Sequence, residues 1–157
     1  MTASDRSRWV LNTDGGARGN PGPAGSGFVL KDQSGARVCS GGRYIGVTTN
    51  NRAEYDALIW GLESARASGC RAVEVRMDSE LIVRQMTGRY RVKNEGLKES
   101  YARARELVRA FDDVRFVHVP RSDNAEADRL ANEAMDSRET VGDAPETCPD
   151  DEPGTLF

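Results

Sequence analysis

Apolar positions change their period along this chain, and the changes mark its elements. Through the first third they alternate: Arg8 to Asp14, Ser26 to Lys31 and Arg37 to Ile45 read as strands. The turn-rich Gly15 to Gly25 separates the first two, and Asp32 to Gly35 is a hairpin connection. From Asn50 to about Ser68 the period becomes helical, with Glu54, Leu58, Gly61 and Ala65 on one stripe and Gly69 as the stop. Ala72 to Met77 alternates again as a short strand. Ser79 to Met86 and Glu95 to Phe111 have helical spacing, Val114 to Val119 is a last strand, and Asp123 to Met135 a last helix. Asp123 is placed to cap that helix, with Glu126 completing a capping box.

This order predicts an α/β domain built on a five-stranded mixed sheet, three antiparallel strands and then two parallel ones, flanked by helices. A right-handed crossover from the first helix sets the Ala72 strand beside the first strand. Asp14 and Asp78 then end neighbouring strands where strand order reverses, the usual place for a site in such sheets.

Two more carboxylates face the same region. Glu54 precedes Leu58 by four residues and so lies only about 40° from it around the helix, along the buried stripe. A buried carboxylate needs a partner, either an arginine such as Arg52 or Arg43 or a metal ion. Asp128 borders the inner face formed by Ala127, Leu130, Ala131 and Ala134. Singly, Asp14 and Asp78 suit turns or caps. Four like charges converging on one point fit a site for divalent cations, which take oxygen ligands.

Composition narrows the class. The chain has 157 residues, 38% of them hydrophobic and 30% charged, enough for one domain. No stretch approaches the roughly 20 apolar residues of a membrane span, and the first eight residues lack a signal-peptide core, so the chain reads as cytoplasmic. Cys39, Cys70 and Cys148 are widely spaced and encode neither a disulfide framework nor a zinc site. Residues 136–157 carry seven acidic side chains against Arg138 alone, so within a net charge of −3 the body is basic by three. The domain is therefore placed at 1–135, followed by an acidic tail expected to be disordered. Arg84 to Arg109 holds eight cations against three glutamates, which suits either a polyanionic partner or a solvated helix face with pairs such as Glu99 to Arg103.

The motifs themselves carry a resemblance. Thr13-Asp14-Gly15-Gly16, Gly19-Asn20-Pro21-Gly22-Pro23, Thr48-Thr49-Asn50-Asn51-Arg52-Ala53-Glu54, Met77-Asp78-Ser79 and Asn124 to Asn132 resemble, in order and spacing, the successive motifs of the type 1 ribonuclease H family, from about Trp9 to Ala134. The resemblance implies a ribonuclease H-like fold and endonucleolytic cleavage of the RNA strand of an RNA/DNA hybrid, leaving 5′-phosphate and 3′-hydroxyl ends. It implies two Mg²⁺ ions held by Asp14, Glu54, Asp78 and Asp128, with Asp14 bridging and Mn²⁺ able to substitute. It also implies groove contacts from Gly15, Gly16, Asn20, Asn50 and Asn51 and a DNA-phosphate contact from Thr49. Turn or cap chemistry is the alternative for Asn20 and Asn51.

Two departures qualify the resemblance. The loop before Asp128 lacks the histidine many members carry there, and Arg121 is the candidate substitute near the scissile phosphate. The sole histidine, His118, reads as a packed strand residue. Thr87 to Asn94 is too short for a basic protrusion, which leaves Arg89, Arg91 and Lys93 for part of that work. The pattern resembles the compact branch of the family, whose members can also accept double-stranded RNA, and a monomer is expected. A single histidine and the absence of GxSxG exclude a serine hydrolase, and Gly25-Ser26-Gly27 leads into a strand, which excludes a nucleotide-binding glycine loop. A non-catalytic hybrid-binding module is the rival from another class, yet no carboxylate is missing.

Overall fold

The computed structural model describes residues 8–144. Strands β1 (Trp9–Ala17), β2 (Gly22–Lys31) and β3 (Arg37–Thr48) form an antiparallel meander, and helix α1 (Asn50–Ala67) leads across to β4 (Ala72–Met77). Helices α2 (Glu80–Met86) and α3 (Glu95–Val108) precede β5 (Asp113–His118), and a 3₁₀ turn over Arg121–Asn124 opens α4 (Ala125–Ser137), which is followed by β6 (Val141–Gly142). The sheet order is β5-β4-β1-β2-β3-β6. β4 lies parallel to β1 and to β5 as the sequence predicts, so the ends of β1 and β4 are neighbours. No helix among the described residues is long and apolar enough to cross a membrane.

Four expectations are corrected. The sheet has six strands: β6 pairs with Gly41 and Gly42 of β3. Two residues are too few to show alternation. The fold also continues past residue 135, because α4 runs to Ser137, Asp143 accepts the Ser40 amide at 2.8 Å, and Ala144 is buried. Of the tail expected to be disordered from residue 136, residues 145–157 lie outside the described residues. The glycine-rich Gly15 to Gly25 is mostly paired strand, with Gly15 opposite Ser26 and Ala17 opposite Ala24, so that only residues 18–21 form the tip. Asp123 does not cap α4: Asn124 occupies that position and makes no capping bond with its side chain. Asn124 is spent on β1, donating to the Thr13 carbonyl at 2.7 Å and accepting from the Asn12 amide at 3.0 Å. That pair of bonds pins the start of α4 to the strand carrying Asp14.

Several sheet glycines exist because helices lie on them. A Cβ on Gly27 would stand 2.4 Å from the Ala127 carbonyl oxygen, and one on Gly42 2.2 Å from that of Leu130. The α4 backbone therefore rests directly on β2 and β3. On the other face a Cβ on Gly15 would stand 2.2 Å from the Ala53 carbonyl, so α1 presses onto the end of β1. Between sheet and α1 lies the core, where Phe28 meets Trp60 edge-on at 4.9 Å and Leu11, Leu30, Leu58 and Leu62 are fully buried.

One buried polar link ties α1 to α2: the Tyr55 hydroxyl donates to the Gln85 side-chain oxygen at 2.6 Å with both residues buried. Tyr55→Phe keeps the ring but leaves that acceptor unpaired, so urea denaturation should show a loss of about 1–2 kcal/mol. Unchanged stability would mean the bond contributes nothing net.

Candidate active site

Asp14 is opposite Gly27 in the β1–β2 ladder, and the absent Cβ of Gly27 is what lets Ala127, and with it Asp128, approach. Gly15 does the same for Ala53 and Glu54. Asp78 follows β4 directly and precedes Ser79, which caps α2 by accepting the Ile82 amide. Asp14 within β1, just past the last β1–β4 pair, and Asp78 after β4 thus supply two carboxylates, and helices on opposite faces deliver the other two. One carboxylate oxygen from each of Asp14, Glu54 and Asp78 lies within 4.8 Å of the others. Asp128 stands beside them, placed to accept a hydrogen bond from Asp14 when Asp14 carries a proton.

Electrostatics separate the two explanations of Glu54. Arg43 bonds to Asp56 at 2.9 Å and Arg52 donates to the Gly96 carbonyl at 3.0 Å, so neither predicted arginine neutralises it. Glu54 is 9% exposed, and its Oε1 has no hydrogen-bond partner. Burial, and then the charges of Asp14 and Asp78, push its pKa well above the ordinary value. Burial, the Asp78 charge and the bond shared with Asp128 likewise push Asp14 up to about 8. Carboxylates that repel one another, one of them with a buried oxygen that no donor reaches, are the ligand set a hard divalent cation requires, so the residues fit the metal that the motifs imply.

The carboxylates open into a cleft of about 500 Å³ that Gly15, Gly16, Asn50, Asn51, His118 and Arg121 also line. His118 is exposed at the end of β5, opposite Met77, and not packed as expected, because the strand runs out at the cleft mouth. Arg121 is 80% exposed with its guanidinium 3.7 Å from Asp128. Asn20, Asn50 and Thr49 prove to be framework as well as surface. The Asn20 side-chain oxygen accepts the Asn50 amide at 3.0 Å, the Asn50 side-chain oxygen accepts the Ala17 amide at 2.7 Å, and Thr49 caps α1 by accepting the Arg52 amide at 3.2 Å. A second hollow beside the cleft gathers Asn20, Thr49, Asn51, Arg52 and Asn94, of which the sequence reading assigned no substrate contact to Arg52 or Asn94.

Among the cations of Arg84 to Arg109, several are already paired, Arg103 in part with the buried Glu63. Arg84 holds Glu80, Lys98 holds Glu95, and Arg103 holds Glu63 and Glu106, so Arg103 turns away from the Glu99 suggested by spacing. Arg89, Arg91 and Lys93 are exposed, and Arg91 lines a hollow with Tyr90, Lys98 and Tyr101.

Residues 12–134 match the family described as reverse transcriptase-like, which sets the class of the domain. Ribonuclease HI of Halobacterium salinarum is 50% identical over 123 residues, covering 78% of this chain and 62% of that protein. A bifunctional protein of Mycobacterium tuberculosis is 46% identical over 129 residues, covering 82% of this chain and 35% of that one. The chain thus spans less than two thirds of the length of these curated relatives. Among solved structures, LC11-RNase H1 in complex with RNA/DNA hybrid is similar at a TM-score of 0.79 and 50% identity, covering 83% of this chain and 98% of that one. The chain belongs to the type 1 ribonuclease H family.

Proposed function

We propose that this protein is an endoribonuclease that hydrolyses the RNA strand of RNA/DNA hybrids, with Asp14, Glu54, Asp78 and Asp128 holding two Mg²⁺ ions. The observation that carries the reading is the buried, unpartnered Glu54 oxygen facing Asp14 and Asp78 at the floor of an open cleft. The likeness to an RNase H1 solved with a hybrid supports the substrate. Bound metal supplies an activated water and stabilises the leaving 3′ oxygen, so that breaking the P–O3′ bond leaves 5′-phosphate and 3′-hydroxyl ends.

The chain's own residues do the rest. Asp14, central among the four, would be shared by both ions, Asp78 would hold the ion that activates water, and Glu54 and Asp128 would complete the ligand sets. Arg121 swings from Asp128 toward the scissile phosphate, for which its exposure leaves room. Gly15 and Gly16 admit the RNA backbone, Asn20, Asn50 and Asn51 face the minor groove where 2′-hydroxyls mark the RNA strand, and Thr49 meets a phosphate of the DNA strand. Mn²⁺ substitutes for Mg²⁺, double-stranded RNA is a weaker substrate, and the domain acts as a monomer in the cytoplasm.

A gel assay with end-labelled hybrid, double-stranded RNA and double-stranded DNA tests this. The expected result is metal-dependent cleavage of the RNA strand in the hybrid, slower cleavage of double-stranded RNA and none of DNA. Tight hybrid binding without cleavage in any metal would instead mark a binding module.

A further inference from the structure

The Asp128 side chain stays a third exposed, at 32%, so packing alone does not aim it. Asn132 lies one turn further along α4 on the same face. Its side-chain amide nitrogen donates to Asp128 Oδ1 at 3.3 Å and to the Asp128 carbonyl at 3.0 Å. An amide could present either end, and Arg18 decides which. The Arg18 guanidinium donates to Asn132 Oδ1 at 3.2 Å and to the Asn132 carbonyl at 3.5 Å, while its other terminal nitrogen is 2.7 Å from Asp136. A guanidinium only donates, so the oxygen of Asn132 must face Arg18 and the nitrogen must face Asp128.

Arg18 sits on the β1–β2 tip, whose other side is braced by α1 through the bonds from Ala17 to Asn50 and from Asn50 to Asn20. The tip therefore joins the helix carrying Glu54 to the helix carrying Asp128. We propose that Arg18 and Asn132 are positioning residues, a relay by which the hairpin tip sets the direction of Asp128 and the spacing of the two helix-borne ligands. The inference rests on the metal-dependent reading above. Its effect is directional more than energetic, since the Arg18 bonds are solvent-exposed and add little to stability.

The test measures Mn²⁺ affinity by calorimetry, thermal stability without metal, and the Mg²⁺ concentration for half-maximal hybrid cleavage in the parent, Asn132→Ala, Arg18→Ala and Arg18→Lys. Loss of a group that orients a ligand typically weakens metal affinity about tenfold or more. Asn132→Ala should show that loss with its metal-free melting temperature nearly unchanged. Arg18→Ala should shift in the same direction by less, Arg18→Lys should recover part, and a variant combining Arg18→Ala with Asn132→Ala should match Asn132→Ala because the two act in series. A Kd and a Mg²⁺ midpoint within about twofold of the parent for Asn132→Ala would overturn the relay while cleavage by the parent leaves the functional reading standing. A parent that neither binds metal nor cleaves overturns both.

Discussion

Asp78→Asn should cleave a labelled RNA/DNA hybrid at least about a thousandfold more slowly than the parent in Mg²⁺, with its fold intact. The substitution is isosteric, and Asp78 follows β4 without serving as the cap of α2, a task that falls to Ser79. What it removes is one of three oxygens gathered within 4.8 Å and the charge that a divalent ion would neutralise there. Metal assistance is worth several kcal/mol of barrier, and each 1.36 kcal/mol is a factor of ten in rate. Removing the charge also relieves Asp14 and Glu54, both of which feel Asp78 among the causes of their raised pKa. The variant should therefore melt no lower than the parent in the absence of metal. Parent-like cleavage would refute the assignment, whereas lost cleavage together with a much lower melting temperature would point to a structural role.

Much of this site was legible because period and position suffice to locate it. Glu54 lies on an apolar helical stripe, and although β1 runs on to Ala17, Asp14 and Asp78 each follow the last β1–β4 pair, Thr13 with Met77, so strand adjacency alone brings them together. What stayed hidden depends on close approach between backbones. Gly27 and Gly42 fall inside strands already legible in the sequence, where nothing marks them as the floor on which α4 rests and the reason Asp128 reaches Asp14. Asn124 follows the same logic: its side chain bonds to the β1 backbone, a tertiary contact that overrode the local capping signal at Asp123. The β6 strap was missed because its signal is a buried Ala144 and one Asp143 bond to a distant amide. Asn132 could have been suspected, since a carboxamide four residues after an acidic ligand on a helix faces it, but its orientation depends on Arg18 across the cleft.

Without metal, the protein should lose stability as pH rises from about 5 to 8.5, the opposite of an ordinary acid-sensitive domain. Asp14 is raised from 3.8 to about 8 by burial, the Asp78 charge and its bond to Asp128, and Glu54 is raised for like reasons. A carboxyl whose folded pKa exceeds its unfolded one binds its proton more tightly when folded. Its contribution is complete below the unfolded value and is lost as pH climbs through the folded one. Carboxylates shifted the other way, such as Asp32 with its Ser34 bonds, contribute stability above their unfolded pKa and lose it only in stronger acid, outside this window. Each pKa unit corresponds to about 1.4 kcal/mol, but coupled groups share protons and the cleft admits water, so the net loss should be about 2–3 kcal/mol. Urea denaturation in EDTA at several pH values measures it. Two further outcomes are tied to the same cause: Asp14→Asn should flatten the slope and raise metal-free stability at pH 8, and saturating Mg²⁺ should abolish the slope by replacing the missing protons. A metal-free curve that is flat or rising over this range, or an Asp14→Asn variant less stable than the parent at pH 8, would mean the carboxylates are not held against their own repulsion, and the case for a metal at this cluster would fail with it.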